Sequence, residues 1–232
     1  MPDQFPQLFK VSVIIPAFNP PKTLVQLVHD IKVGGIQKIV VINDGSSKDH
    51  KNIFDQVSQR GVTVLNHPIN RGVGAAIKTG IAYVEQNHLN SIGVITADCD
   101  GQHSAKDIIR IANILQENPK SVILGVRRIS LFKMPFRSFI GNLFAKSIFL
   151  VLKRKRISDT QCGLRAFPAS LIPNLLTLNG QQFEYITQTL VYLVRANIHM
   201  IKEPIETIYS KHIGTHFRSI YSSWAILKAL FE

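Results

Sequence analysis

Five short apolar runs, spaced through the first 126 residues, constrain this chain more than any other feature. Val11–Pro16 (VSVIIP), Lys38–Asn43 (KIVVIN), Val62–Leu65, Ser91–Ala97 and Ser121–Val126 are too short for helices and rich in β-branched residues, so each reads as a buried strand. The segments between them have helical spacing. Leu24, Leu27, Val28 and Ile31 recur on one face before Gly34-Gly35; Arg71–Glu85 carries Ala75, Ala76, Ile77 and Ile81 on its apolar side; Asp107–Gln116 reads as a third helix. Strands alternating with helices predict an α/β fold, a mostly parallel sheet with helices on both faces. Ligands of such sheets bind beyond the carboxyl ends of the strands. Asn19, Asp44 and the Asp98–Asp100 pair stand just past the ends of different strands, so they are expected to converge on one crevice. No internal repeat or linker interrupts the 232 residues, a length that suits one large domain, or one domain with an appendage.

Composition narrows the function classes. With 45% hydrophobic and 18% charged residues the chain is not a disordered one. Its two cysteines, Cys99 and Cys162, make neither a disulfide scaffold nor a four-ligand zinc site. Lys and Arg number 27 against 15 Asp and Glu, a net charge of +12 that fits an anionic partner or a merely basic surface. No nucleic-acid-binding motif accompanies the charge. The opening MPDQFPQLFK lacks the apolar core of a signal peptide, and no run reaches the roughly 20 apolar residues of a membrane span. A cytoplasmic protein is expected, one that lies on a membrane rather than crossing it.

The second half changes character. Phe136–Leu152 is apolar and aromatic with Arg137 and Lys146 as its only charges, and Lys153-Arg154-Lys155-Arg156 follows at once. It reads either as an interfacial helix drawn to anionic lipid over 136–156 or as a core helix with a solvated basic turn. Asp159–Phe167 holds a short strand, Gln182–Ala196 a helix and Ile198–Ile205 a strand-like segment. Residues 219–232, with Ile220, Trp224, Leu227, Leu230 and Phe231, form an apolar C-terminal helix suited to the same membrane surface, to a separate membrane protein or to a second copy of the chain.

Asp98-Cys99-Asp100 is the sharpest chemical feature. Two carboxylates at a strand end can share Mg²⁺ or Mn²⁺, hard cations that take oxygen ligands and bridge to phosphates; Gln102 could add a neutral oxygen. The plain reading is an acidic turn before a helix that starts after Ser104. Gly72-Val73-Gly74 lacks the third glycine of a dinucleotide fingerprint and follows the third strand rather than the first. It serves as a helix start facing the crevice or as a structural turn. The histidines show no metal-ligand spacing and most read as surface residues, His103 and His216 being set apart by their motif neighbours. Cys99, between two carboxylates, reads as a small filler.

Taken in order, Val13-Ile-Ile-Pro-Ala-Phe-Asn19, Val41-Ile-Asn-Asp44-Gly-Ser-Ser, Asn70-Arg-Gly72-Val-Gly-Ala-Ala76, Ala97-Asp-Cys-Asp-Gly-Gln-His103 and Asp159-Thr-Gln-Cys-Gly-Leu-Arg165 resemble the motifs of family 2 glycosyltransferases. The resemblance runs over about residues 10–218 and looks closest to the polyprenyl-phosphate, dolichol-phosphate mannose synthase-like branch. It implies a GT-A fold over residues 1–218 and transfer of a hexose, with inversion, from a nucleoside diphosphate sugar to a polyprenyl phosphate. By matching position it implies that Asp44 contacts the nucleoside, with Pro16, Ala17, Asn19 and Gly72 beside the donor. Asp98, Asp100 and Gln102 would hold Mg²⁺ or Mn²⁺ on the diphosphate. Arg127 would meet substrate phosphates, and Arg137 and Arg218 the acceptor phosphate. Pro20 replaces the acid that usually follows the motif's asparagine, so a contact near the base is missing. A saccharide hydroxyl acceptor would instead need a carboxylate base, Asp159 first and Glu184 in reserve. A nucleotidyltransferase would carry a Gly-rich loop with lysine after the first strand, and Pro16–Pro21 is not one. A non-catalytic lipid- or nucleotide-binding protein would have no use for the aspartate pair.

Overall fold

The computed structural model describes residues 8–127 and 162–206. Seven strands form one sheet: β1 (Val11–Ala17), β2 (Lys38–Asp44), β3 (Thr63–His67), β4 (Gly93–Thr96), β5 (Val122–Arg127), β6 (Arg165–Pro168) and β7 (Met200–Ile205). Their spatial order is β3-β2-β1-β4-β6-β5-β7. All neighbours pair in parallel except β6, which is antiparallel to both β4 and β5. The helices are α1 (Thr23–Val33), α2 (Lys51–Gln59), α3 (Val73–Asn87), α4 (Ala105–Glu117), α5 (Ile172–Thr177) and α6 (Glu184–Arg195).

The apolar strands read as continuous runs because both faces are covered, yet their side chains alternate between two cores. Val11, Val13, Ile15 and Ala17 of β1, with Ile39 and Val41 of β2, join Leu24, Val28 and Ile31 of α1, Phe54 and Val57 of α2, and Ile108, Ile111 and Leu115 of α4. Ile14, Val40 and Ile42 face the opposite way, onto Ala76, Ile77, Ile81 and Val84 of α3, Leu175 of α5 and Leu190 of α6. Gly80 lets α3 lie close to the sheet, for a Cβ there would come within 2.5 Å of Ile14 and 2.9 Å of Ile42.

The α/β expectation holds, and the expected strands and helices of the first half fall within two or three residues of those observed. Asp44–Ser47 reads in sequence as a turn and helix entry, and α2 follows it; α5, with Pro173 in its first turn, where a missing N–H costs nothing, has no counterpart among the expected elements. Among the described residues no helix is long and apolar enough to cross a membrane. Segments 136–156 and 219–232 lie outside the described residues.

Parallel pairing carries the ends of β1, β2 and β4 to one edge. Ala17 stands opposite Asn43, and Ile14 opposite Thr96. The reversed β6 adds its beginning to the same edge, with Arg165 opposite Thr96, so that Cys162 and Gly163 arrive beside the end of β4.

Candidate active site

The crevice at this edge is built from three loops that tie themselves together. Asn19, after β1, adopts a left-handed backbone (φ 48°), a conformation asparagine tolerates better than most residues. Its N–H donates to Ser46 Oγ at 2.9 Å, and its Oδ1 accepts from the Ser47 N–H at 2.9 Å. Asn43 accepts from the Ser46 N–H at 3.0 Å and donates across the β2–β3 pair to Asn66 at 2.9 Å. Asn19 is thus where the sequence put it, half-buried at the crevice rim, and Asn43 and Asn66 join it there. Neither was singled out, although Asn43 closes one expected strand and Asn66 directly follows another.

Asp44, expected beside the nucleoside, is buried at the end of β2. It is 3% exposed. Its Oδ1 lies 2.6 Å from His67 Nδ1 and accepts the Arg71 N–H at 2.9 Å, while its Oδ2 accepts the Gly72 N–H at 2.8 Å. His67 Nε2 is 3.0 Å from Thr79 Oγ1. Asp44 therefore sits beneath the crevice and holds the 68–72 loop; its oxygens are engaged before any nucleoside arrives. His67, expected at the surface, is buried as its partner. Gly72 lies beside Asp44. Its φ of 98° suits glycine, but its N–H is taken by Asp44, and a Cβ there would meet Gln182 at 2.4 Å. The Ala75 N–H donates to Gln181 O at 2.9 Å. The start of α3 is covered by the loop before α6, which favours the structural reading of these glycines over an anion-facing one. Glu184, the reserve base, binds that loop through two backbone N–H groups, from Gln181 at 2.9 Å and Gln182 at 3.0 Å.

The aspartate pair lies past β4 as expected. Asp98 is half-buried and Asp100 folds back on its own turn, accepting the Gln102 N–H at 3.0 Å and the Gln102 side-chain amide at 2.6 Å. Gln102 consequently has only Oε1 to offer a cation. Burial and the neighbouring Asp98 charge raise the Asp100 carboxyl above its ordinary range. Burial first, then the charges of Asp100 and Asp98, push the Cys99 thiol up to about 12, which fits the reading of a neutral filler. Among the described residues no group of three or more His, Cys, Asp or Glu side chains is placed to hold a metal; the oxygen set is this pair. His103 is 3% exposed and closes the turn, its Nδ1 accepting the Asp98 N–H at 2.9 Å.

Pro16, Asp98, Gly163, Arg165, Tyr185 and Ile186 line a small pocket between the sheet and α6. Ala17 turns its side chain into the core, leaving only its backbone for a donor. Arg165, missed as a site residue, is buried and donates to Cys162 O at 3.0 Å and Ile186 O at 2.7 Å. Its signal was a cationic residue set between Leu164 and Ala166-Phe167 in the expected strand segment. Arg127 closes β5 at the same edge, opposite Ile205. Asp159, Arg137 and Arg218 lie outside the described residues.

Comparison with known proteins agrees with this architecture. A glucosyl-3-phosphoglycerate synthase from Mycobacterium tuberculosis, crystallised with Mn²⁺, uridine diphosphate and phosphoglyceric acid, superposes with a TM-score of 0.75 at 13% identity over 96% of this chain and 78% of its own. A UDP-N-acetylglucosamine–dolichyl-phosphate N-acetylglucosaminyltransferase of Methanococcus voltae is 27% identical, covering 87% of each chain. A dolichyl-phosphate β-glucosyltransferase of Trichomonas vaginalis is 28% identical over 70% of this chain and 54% of its own. An undecaprenyl-phosphate 4-deoxy-4-formamido-L-arabinose transferase of Edwardsiella ictaluri is 30% identical over 72% and 51%. Residues 12–171 match Glycosyl transferase family 2: with its sheet, its crevice and its ordered motifs, the chain belongs to the family 2 glycosyltransferases.

Proposed function

We propose that this protein moves a hexose from a nucleoside diphosphate sugar to a polyprenyl phosphate at the cytoplasmic face of a membrane, with Mg²⁺ or Mn²⁺ bound at the crevice. The observation that carries the reading is the Asp98–Asp100 pair. Burial beside a second carboxylate makes ionised Asp100 costly, a deficit that a divalent cation would offset. The donors are hard oxygens, and Mg²⁺ is commonly held by one or two carboxylates plus substrate phosphates. Asp98 and Asp100 fit that role, with Gln102 Oε1 in reach of the same turn. The cation would supply charge neutralisation for the departing diphosphate.

The chain's own residues do the rest. The rim of Asn19, Asn43 and Ser46 meets the nucleoside, over a floor that Asp44 and His67 hold in place. Arg127 meets substrate phosphate at the end of β5; Arg137 and Arg218 are the proposed contacts of the acceptor phosphate. A phosphate acceptor is already ionised near neutral pH and needs no general base. That suits a crevice whose buried Asp44 is fully engaged. The relatives named for dolichyl and undecaprenyl phosphate support this acceptor class.

The test is release of nucleoside diphosphate from a panel of nucleotide sugars, with and without Mn²⁺ and a short polyprenyl phosphate. Release that needs both is the expected result. Full activity in excess EDTA removes the cation from the reading. Equal transfer to a water-soluble hydroxyl acceptor removes the lipid phosphate and makes Asp159 the base.

A further inference from the structure

We propose that His103 and Gly163 form a seat that fixes Asp98 in the orientation from which it takes a divalent cation. The inference rests on the proposed role of Asp98 as a metal ligand and adds two residues that act through it. His103 is nearly fully buried, and its Nδ1 accepts the Asp98 backbone N–H at 2.9 Å. An acceptor Nδ1 leaves the ring proton on Nε2. That nitrogen faces Asp98 Oδ2 at 3.6 Å and Cys162 Sγ at 3.8 Å. One imidazole therefore addresses both the main chain and the carboxylate of the same residue.

Gly163 closes the other side. A Cβ on Gly163 would lie 2.4 Å from Asp98 Oδ1 and 2.9 Å from Oδ2, and its three nearest neighbours would all be Asp98 side-chain atoms. The glycine is itself held, its carbonyl accepting from Thr96 Oγ1 at 2.7 Å. The carboxylate thus rests on a backbone pinned to the last residue of β4. Such outer partners set the direction of a ligand's lone pairs, and their loss typically weakens metal affinity about 10- to 100-fold. Both are positioning residues; neither need touch the cation.

Gly163→Ala is the sharp test, because the end of the Asp98 side chain is what the added methyl meets first. Mn²⁺ uptake in the presence of UDP or GDP, read from the free-ion electron paramagnetic resonance signal, is compared in wild type, Gly163→Ala, His103→Ala and His103→Gln, alongside thermal melts. The expected result is Mn²⁺ affinity lower by about 10-fold or more in Gly163→Ala and His103→Ala, with Gly163→Ala melting close to wild type. His103→Gln, which keeps an acceptor and a donor, should recover part of the loss. Unchanged Mn²⁺ affinity in a folded Gly163→Ala overturns the seat; so does a lower melting temperature in His103→Ala with wild-type affinity. A wild-type protein that takes up no Mn²⁺ with either nucleotide overturns the metal reading itself, a result distinct from either.

Discussion

At the scale of single residues, a carboxylate's neighbours decide its task. Asp98 and Asp100 are half-buried at a crevice, so Asp98→Ala and Asp100→Ala should each lower turnover by orders of magnitude while leaving the melting temperature near wild type; full activity in either variant rejects the metal site. Asp44 differs because three donors surround it in the interior. Its removal strands the His67 ring and the Arg71 and Gly72 N–H groups, and breaking a buried charged arrangement costs about 3 kcal/mol or more. For a chain of this length that is a fall of roughly 6–12 °C. Asp44→Ala should therefore lose donor affinity and stability together, whereas direct nucleoside contact alone would spare the melting temperature. Cys99 provides a pH reading. Its thiol is held up to about 12 by burial and then by its two acidic neighbours, against about 9 when unfolded, so its contribution to stability is complete below pH 9 and is lost as the pH climbs towards 12. Iodoacetamide should leave Cys99 unlabelled in the native protein at pH 8 and label it on unfolding; rapid native labelling contradicts the buried thiol. The aspartate pair was legible because its two members are neighbours in sequence. The task of Asp44 was not, because His67, Arg71 and Gly72 return to it from 23 to 28 positions away.

At the scale of elements, legibility followed burial. β1 and β2 read plainly because they are covered on both faces, and the repeat of α1 is that of a helix with one face on the core. α2 showed only at its entry because Ile53, Phe54 and Val57 are a narrow stripe in a polar segment, and α5 was hidden because six residues hold too little periodicity to show. The reversal of β6 cannot be read from its own four residues, since a strand pattern is the same for either direction. The start of α4 offers a clean test of an element boundary. Ser104 caps it, its Oγ accepting the Asp107 N–H at 3.1 Å and donating to Asp107 Oδ2 at 2.9 Å. Asp107 is buried and also takes Arg110 at 2.6 Å. Losing a serine cap costs about 1 kcal/mol, so Ser104→Ala should melt roughly 2–4 °C lower and Ser104→Thr should restore most of the difference. Equal melting of Ser104→Ala and wild type would show that the cap contributes nothing to the fold.

At the scale of the whole molecule, charge governs which surfaces the protein meets. The net +12 exceeds what two substrate phosphates need, and four of those cations are consecutive, Lys153–Arg156, directly after the apolar run Phe136–Leu152. The segment lies outside the described residues, so the prediction stands on sequence and on the proposed lipid acceptor. A basic cluster at an anionic bilayer contributes about 1 kcal/mol per charge. Replacing all four with glutamine should thus weaken binding to vesicles containing phosphatidylglycerol by about 10³-fold at low salt. Raising the salt should erase the difference, since the screening length shrinks from about 10 Å at 0.1 M to about 3 Å at 1 M. Transfer to a water-soluble analogue of the acceptor should be untouched, because the cluster concentrates the protein at the bilayer rather than acting on the sugar. The opposite pattern is as informative: wild-type and substituted proteins that sediment equally with anionic vesicles would make Lys153–Arg156 a solvated turn after a core helix, and the acceptor would then have to be drawn from the membrane by the crevice alone.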